Sequence, residues 1–117
     1  MRDLTISGTL PQGVEVDGAW HRDFVLRLPT VADNIEAVDQ VGTGNAVALS
    51  AAILSRQLVK LGALQDKALT YDLVTGLHPQ DYNHLEAAAA ELEKKRQAAL
   101  AARPNGQPSA SPCAAPA

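Results

Sequence analysis

Hydrophobic spacing divides this chain into a short region of period two and a longer region of helical period. From Leu4 to Leu28 the apolar residues alternate, Leu4 with Ile6, then Val14 with Val16, then Phe24, Leu26 and Leu28. That is the spacing of half-buried strands. Asp17-Gly18 between two such runs favours a two-residue type I′ turn, whose central residues both take positive φ. Strict pairing about this turn sets Val16 against Ala19 and Val14 against His21, which leaves Phe24, Leu26 and Leu28 on the face opposite the valines. A one-residue bulge between Trp20 and Asp23, or a longer loop, restores a single apolar face, so an irregularity is expected there.

Pro29 ends the strand pattern, and Thr30-Val31-Ala32-Asp33 has the form of a capping box. The helix it opens carries Val31, Ile35, Val38 and Val41 on one face and exits at Gly42 and Gly44. A second helix is expected over Asn45 to Leu61, with Val47, Ala51, Leu54, Leu58 and Leu61 as its stripe, and a short one over Asp66 to Thr75. Pro79 suits the first turn of the last and longest helix, where Asp81 meets the positive end of the dipole. Tyr82, Leu85, Ala89 and Leu92 form its apolar stripe, and Glu91 with Lys95 is a favourable i, i+4 pair. The fold class expected is α+β, mainly α, with a small N-terminal β-hairpin or three-stranded element followed by about four helices. One domain spans residues 1–103. The segment 104–117, with prolines at 104, 108, 112 and 116 among Ala, Ser and Gly, reads as a disordered Pro/Ala/Ser tail.

At 117 residues the chain is one ordinary domain, and its four aromatic residues, Trp20, Phe24, Tyr71 and Tyr82, leave Leu, Val, Ile and Ala to supply most of the core. A net charge of −3 gives no long-range attraction to phosphate backbones or anionic membranes, so neither nucleic acid nor membrane is an expected partner. No apolar run approaches the ~20 residues of a membrane span, and MRDLTISGTL lacks the basic-then-apolar order of a signal peptide, which points to the cytoplasm. The single Cys113 excludes an intramolecular disulfide and a multi-cysteine metal site.

Catalytic chemistry finds little support. His21, His78 and His84 share no ligand spacing and read as surface or capping residues. Asp81 and Glu86, five apart on a helix, point in different directions and read as solvated charge rather than an acid-base pair. Gly42-Thr43-Gly44 lacks the Gly-Lys-Ser/Thr ending of a phosphate loop. Lys94-Lys95-Arg96 is the one basic cluster, but Glu86, Glu91 and Glu93 surround it, and its place suits a helix C-terminus. These features predict neither catalytic residues, nor a cofactor, nor a metal, and hence no enzyme. The stripe of Tyr82, Leu85, Ala89 and Leu92 is either core or a face for a partner helix, which makes Tyr82, Leu85 and Leu92 the candidate partner-binding residues.

The order of these pieces resembles the tail assembly chaperones of long-tailed bacteriophages, in particular the Mu-like small tail proteins encoded ahead of the tape measure. GVEVDGAWHRDFVLRLPTVAD is similar to that family's opening, a strand with a Val-Asp-Gly turn, an apolar-basic strand ending in Pro29-Thr30, and an acidic residue at Asp33. Asn45 to Leu61 resembles its central aliphatic helix. Leu69 to Leu77 followed by Asp81-Tyr82 resembles its Leu-Thr helix start and the Asp-aromatic pair opening the last helix. The likeness covers about Val14 to Leu92; the Ala-rich end and the tail depart from it. It implies a non-enzymatic protein of the bacterial host cytoplasm that binds the tape measure protein, with tail tube protein as a second candidate partner, acts in multiple copies or as a homo-oligomer, keeps its client soluble, leaves as tail tube protein polymerises, and is not in the mature virion. Two other readings are a small helical DNA-binding or regulatory domain, with a helix-turn-helix around Gly62, and a structural component of the virion tail.

Overall fold

The computed structural model describes residues 4–102. Two long strands open it, β1 (Thr5–Val16) and β2 (Ala19–Arg27), joined at Asp17-Gly18. Asp17 and Gly18 have φ of 53° and 82°, the pair of left-handed conformations that a type I′ turn requires. Helix α1 (Val31–Val41) and helix α2 (Ala46–Gln57) follow, then β3 (Leu58–Leu61), β4 (Leu64–Gln65), a single 3-10 turn at Asp66–Ala68, α3 (Tyr71–Thr75) and α4 (Pro79–Ala102).

The architecture corrects the expectation of a small hairpin or three-stranded element followed by helices. Among the described residues the sheet has four antiparallel strands in the order β1-β2-β3-β4, the first two have 12 and 9 residues, and the other two come from the middle of the chain. The helix expected over Asn45 to Leu61 stops at Gln57 because the free side of β2 takes the next segment as a strand, with Phe24 opposite Leu61 and Val25 opposite Lys60. Gln57 makes the change of direction, its Nε2 donating to the Arg27 carbonyl at 2.9 Å. Gly62, at φ 60°, turns β3 into β4 where a Cβ would collide with the His21 ring. The short helix expected over Asp66 to Thr75 is divided between the 3-10 turn and α3, which Thr70 caps.

The strand irregularity also lies elsewhere than expected. β2 runs without a break through Trp20 to Asp23, while β1 carries the extra residues: Leu10 to Gly13 lie between the Thr9–Asp23 and Val14–His21 pairs. Asp81 at the start of α4 holds this bulge, accepting from the backbone N–H groups of Gln12 and Gly13, each at 2.9 Å. Its carboxylate is fully buried, not the solvated charge that the sequence suggests. Arg22 closes the other side, its Nε donating to the Leu10 carbonyl at 3.0 Å.

One face of the sheet carries the core. Leu10, Phe24, Leu26, Leu58 and Leu61 pack with Ala51 and Leu54 of α2, Val74 of α3, and Leu85 and Leu92 of α4. Trp20 does not join them: it is 63% exposed near the hairpin tip. His21 is buried, its Nδ1 accepting from the Ala63 N–H at 3.1 Å, whereas the His78 Nδ1 accepts from the Gln80 N–H as a helix-start cap. His84 stands edge-on to the Phe24 ring with centroids 6.0 Å apart. The segment 104–117, read from sequence as a disordered tail, lies outside the described residues.

Candidate functional site

The most unusual surface is on α1. The helix is anchored at its start, where Thr30 and Asp33 form the expected reciprocal cap: the Asp33 N–H donates to the Thr30 hydroxyl at 3.2 Å and the Thr30 N–H to the Asp33 carboxylate at 2.8 Å. Arg27 at the end of β2 adds two bonds to the same carboxylate, at 2.8 and 3.0 Å. This fork holds the buried Asp33 carboxyl below the usual carboxylate range, chiefly through the Arg27 hydrogen bonds, and raises Arg27 in turn.

Along its length α1 leans on α2. Ala37 is fully buried, and Arg56 reaches across from α2 to Glu36 at 3.3 Å and Gln40 at 2.9 Å. At ~100° per residue, the stripe of Val31, Ile35 and Val38 therefore lies roughly 150° from the Asp33 and Ala37 side. It faces solvent. Val31 is 73% and Ile35 57% exposed, and Val38 is also exposed. Of the four residues that periodicity placed on one face, Val31, Ile35 and Val38 face solvent while Val41 is half-buried; the buried side is the one marked by Ala37. This row of branched aliphatic residues lies outside the core, on the outer side of a helix that ion pairs from Arg27 and Arg56 hold in place.

A second apolar feature runs between α2, α3 and α4. A groove of about 370 Å³ is lined by Val47, Ala51, Tyr71, Val74, Leu77 and Tyr82, among others, with no charged residue in its lining. Val47 and Tyr82 also border an adjoining hollow with Ser50 and Glu86. The Tyr82 hydroxyl donates to the Glu86 carboxylate at 2.7 Å, and burial, reinforced by that carboxylate, pushes the phenol well above its ordinary value. Such a groove suits an apolar side chain.

The three partner-binding candidates separate. Leu85 and Leu92 are fully buried under the sheet and cannot touch a partner while the domain is folded. Tyr82 alone remains at a surface, in the wall of the groove. Sequence reasoning missed the outward position of Val31, Ile35 and Val38, and it missed Trp20 as an exposed aromatic. The one available signal was Ala37, a small residue on the side of α1 opposite its large aliphatics.

Among the described residues no three His, Cys, Asp or Glu side chains gather as a metal site, and no helix is long and apolar enough to cross a membrane. The turn around Gly62 joins two strands, and α3 has only five residues, so the helix-turn-helix considered there is not formed. Comparison with protein families, curated proteins and solved structures finds no match to the chain.

Proposed function

We propose that this protein is a non-enzymatic tail assembly chaperone that binds a phage tape measure protein and keeps it soluble until the tail tube polymerises. The single observation carrying the reading is the solvent-facing aliphatic stripe Val31, Ile35 and Val38 on the anchored helix α1. The resemblance of Val14 to Leu92 to the Mu-like small tail proteins supplies the client's identity.

A long helical client presents apolar stripes that aggregate when exposed, and an outward row of branched aliphatics on a rigid helix covers such a stripe by helix-on-helix packing. Three side chains form too small a patch for a stable one-to-one complex, which needs about 800 Å² per partner. Several copies along one client convert weak contacts into effective retention. Each copy also remains removable as tube subunits arrive. The groove beside Tyr82 adds a place for a single apolar side chain. On this reading the protein acts in the bacterial host cytoplasm and does not stay in the mature virion.

Co-expression with the tape measure protein of the same phage tests this. Wild-type protein should raise the soluble yield of the client and co-purify with it. The Val31→Gln/Ile35→Gln double variant should lose both effects while keeping its circular dichroism spectrum, since these side chains are 73% and 57% exposed. Equal rescue by the variant would remove α1 from the interface; no rescue by wild type would remove the chaperone reading.

A further inference from the structure

We infer that the free edge of β1 pairs with the same edge of a second copy of this chain, antiparallel about a two-fold axis at Ser7. β1 is an outer strand of the sheet, and among the described residues nothing pairs with its outer side. Folded proteins usually blunt such an edge with a bulge, a proline, a charge or a very short strand. Here the devices are unevenly placed. Pro11 and the Leu10–Gly13 bulge protect the second half of β1, and the opposite edge, β4, has only two residues. The first half, through Thr9, is in unbroken register with β2, from Thr5 opposite Arg27 to Thr9 opposite Asp23. It contains no charge and no proline.

The occupant follows from the order of residues along that edge. Leu4-Thr5-Ile6-Ser7-Gly8-Thr9-Leu10 reads nearly the same in both directions about Ser7. Antiparallel self-pairing centred there sets Thr5 against the partner's Thr9 and Ser7 against its own copy, and ends short of Leu10, which opens the bulge and is fully buried in its own core. Thr5, Ser7 and Thr9 are exposed, so the outer face gains a Thr-Ser-Thr ladder; the Thr9 hydroxyl donates to Asp23 of its own subunit at 2.8 Å, which leaves its oxygen to accept from the partner's Thr5. On the core face Ile6 meets the partner's Gly8. That glycine has no room for a side chain, because a Cβ would run into the Phe24 ring. A branched side chain of the inner row is thus set against the residue that contributes no bulk. A two-fold interface must be complementary to itself, and this segment is. An unrelated extended peptide would not require the palindromic order.

The pairing is independent of the chaperone reading and its test contains no client. Sedimentation or light scattering should give twice the monomer mass at micromolar concentration. Ser7→Lys places two ammonium groups opposite each other at the axis and should return the mass to that of a monomer, with an unchanged circular dichroism spectrum. Register is read separately in a Cys113→Ser background. Ser7→Cys should cross-link to a dimer on oxidation or with a short bis-maleimide. Thr5→Cys should not, since its copies lie four residues apart along the strands, ~13 Å. A wild-type monomer at all concentrations would overturn the inference, as would a Ser7→Lys dimer, or Thr5→Cys linking as readily as Ser7→Cys.

Discussion

Replacing Asp81 by Ala should cost this domain more stability than any other single change of a polar residue. The side chain is fully buried and accepts two backbone N–H groups, those of Gln12 and Gly13, from a bulge 69 and 68 residues away in sequence. Hydrogen bonds to a charged acceptor contribute about 1.5–3 kcal/mol each. Both are lost in Asp81→Ala, and the two amides are left in a part-buried place. Against this stands the relief of no longer burying a carboxylate, which offsets part of the loss. A net destabilisation of about 3 kcal/mol follows, and for a domain near 100 residues that lowers the melting temperature by roughly 12–24 °C. Asp81→Asn keeps one acceptor oxygen and turns an NH₂ toward the other amide, so it should fall between Ala and wild type. Urea unfolding followed by circular dichroism measures the free energies, and hydrogen exchange should show Gln12 and Gly13 losing protection first. A loss below about 1 kcal/mol, or unchanged exchange at those two amides, would refute the assignment of Asp81 as the clasp between α4 and β1.

Leu85→Ala should destabilise the fold by about 2–5 kcal/mol, the usual cost of a buried leucine truncated to alanine, and a denaturation midpoint near wild type would return Leu85 to the surface. The Asp33 carboxyl is held below its ordinary value by Arg27, so its contribution is fully present above the unfolded carboxylate pKa, ~4, and is lost as pH falls through the folded value. Asp33→Asn should therefore lower stability at neutral pH and flatten its decline in acid; parallel pH profiles for variant and wild type would contradict this. Gly18→Val should cost roughly 1–2 kcal/mol through the backbone alone, because φ is 82° and the space around the position is open. Trp20, the sole tryptophan, should fluoresce in the native protein much as in the unfolded chain, and a strongly blue-shifted native emission would place it in an apolar site.

What could be read from the sequence was local. The Asp17-Gly18 turn, the Thr30 and Asp33 capping box, and the start of the last helix at Pro79 each depend on a few neighbouring residues, and each is formed. What could not be read was decided at a distance. Leu54, Leu58 and Leu61 fit a helical period, yet Leu58 and Leu61 belong to a strand because β2, more than 30 residues earlier, has a ladder to complete. The bulge sits in β1 rather than β2 because Asp81 satisfies the amides there. Periodicity also cannot say which side of a helix is covered. Val31, Ile35 and Val38 announced a face on α1, but the side that packs on α2 is set by Ala37 and by Arg56 reaching Glu36 and Gln40. The same limit applies to α4, where the stripe left open between core and partner contact divides, Leu85 and Leu92 inside and Tyr82 at the groove.

A photo-reactive residue at position 35, in protein co-expressed with the tape measure of its phage, tests the proposed contact most directly. Lys67, exposed on the 3-10 turn, serves as the control position. Irradiation should link position 35 to the tape measure protein, with several copies on each client, and position 67 should link little. No adduct from position 35, or equal adducts from both positions, would contradict the role given to the aliphatic face of α1.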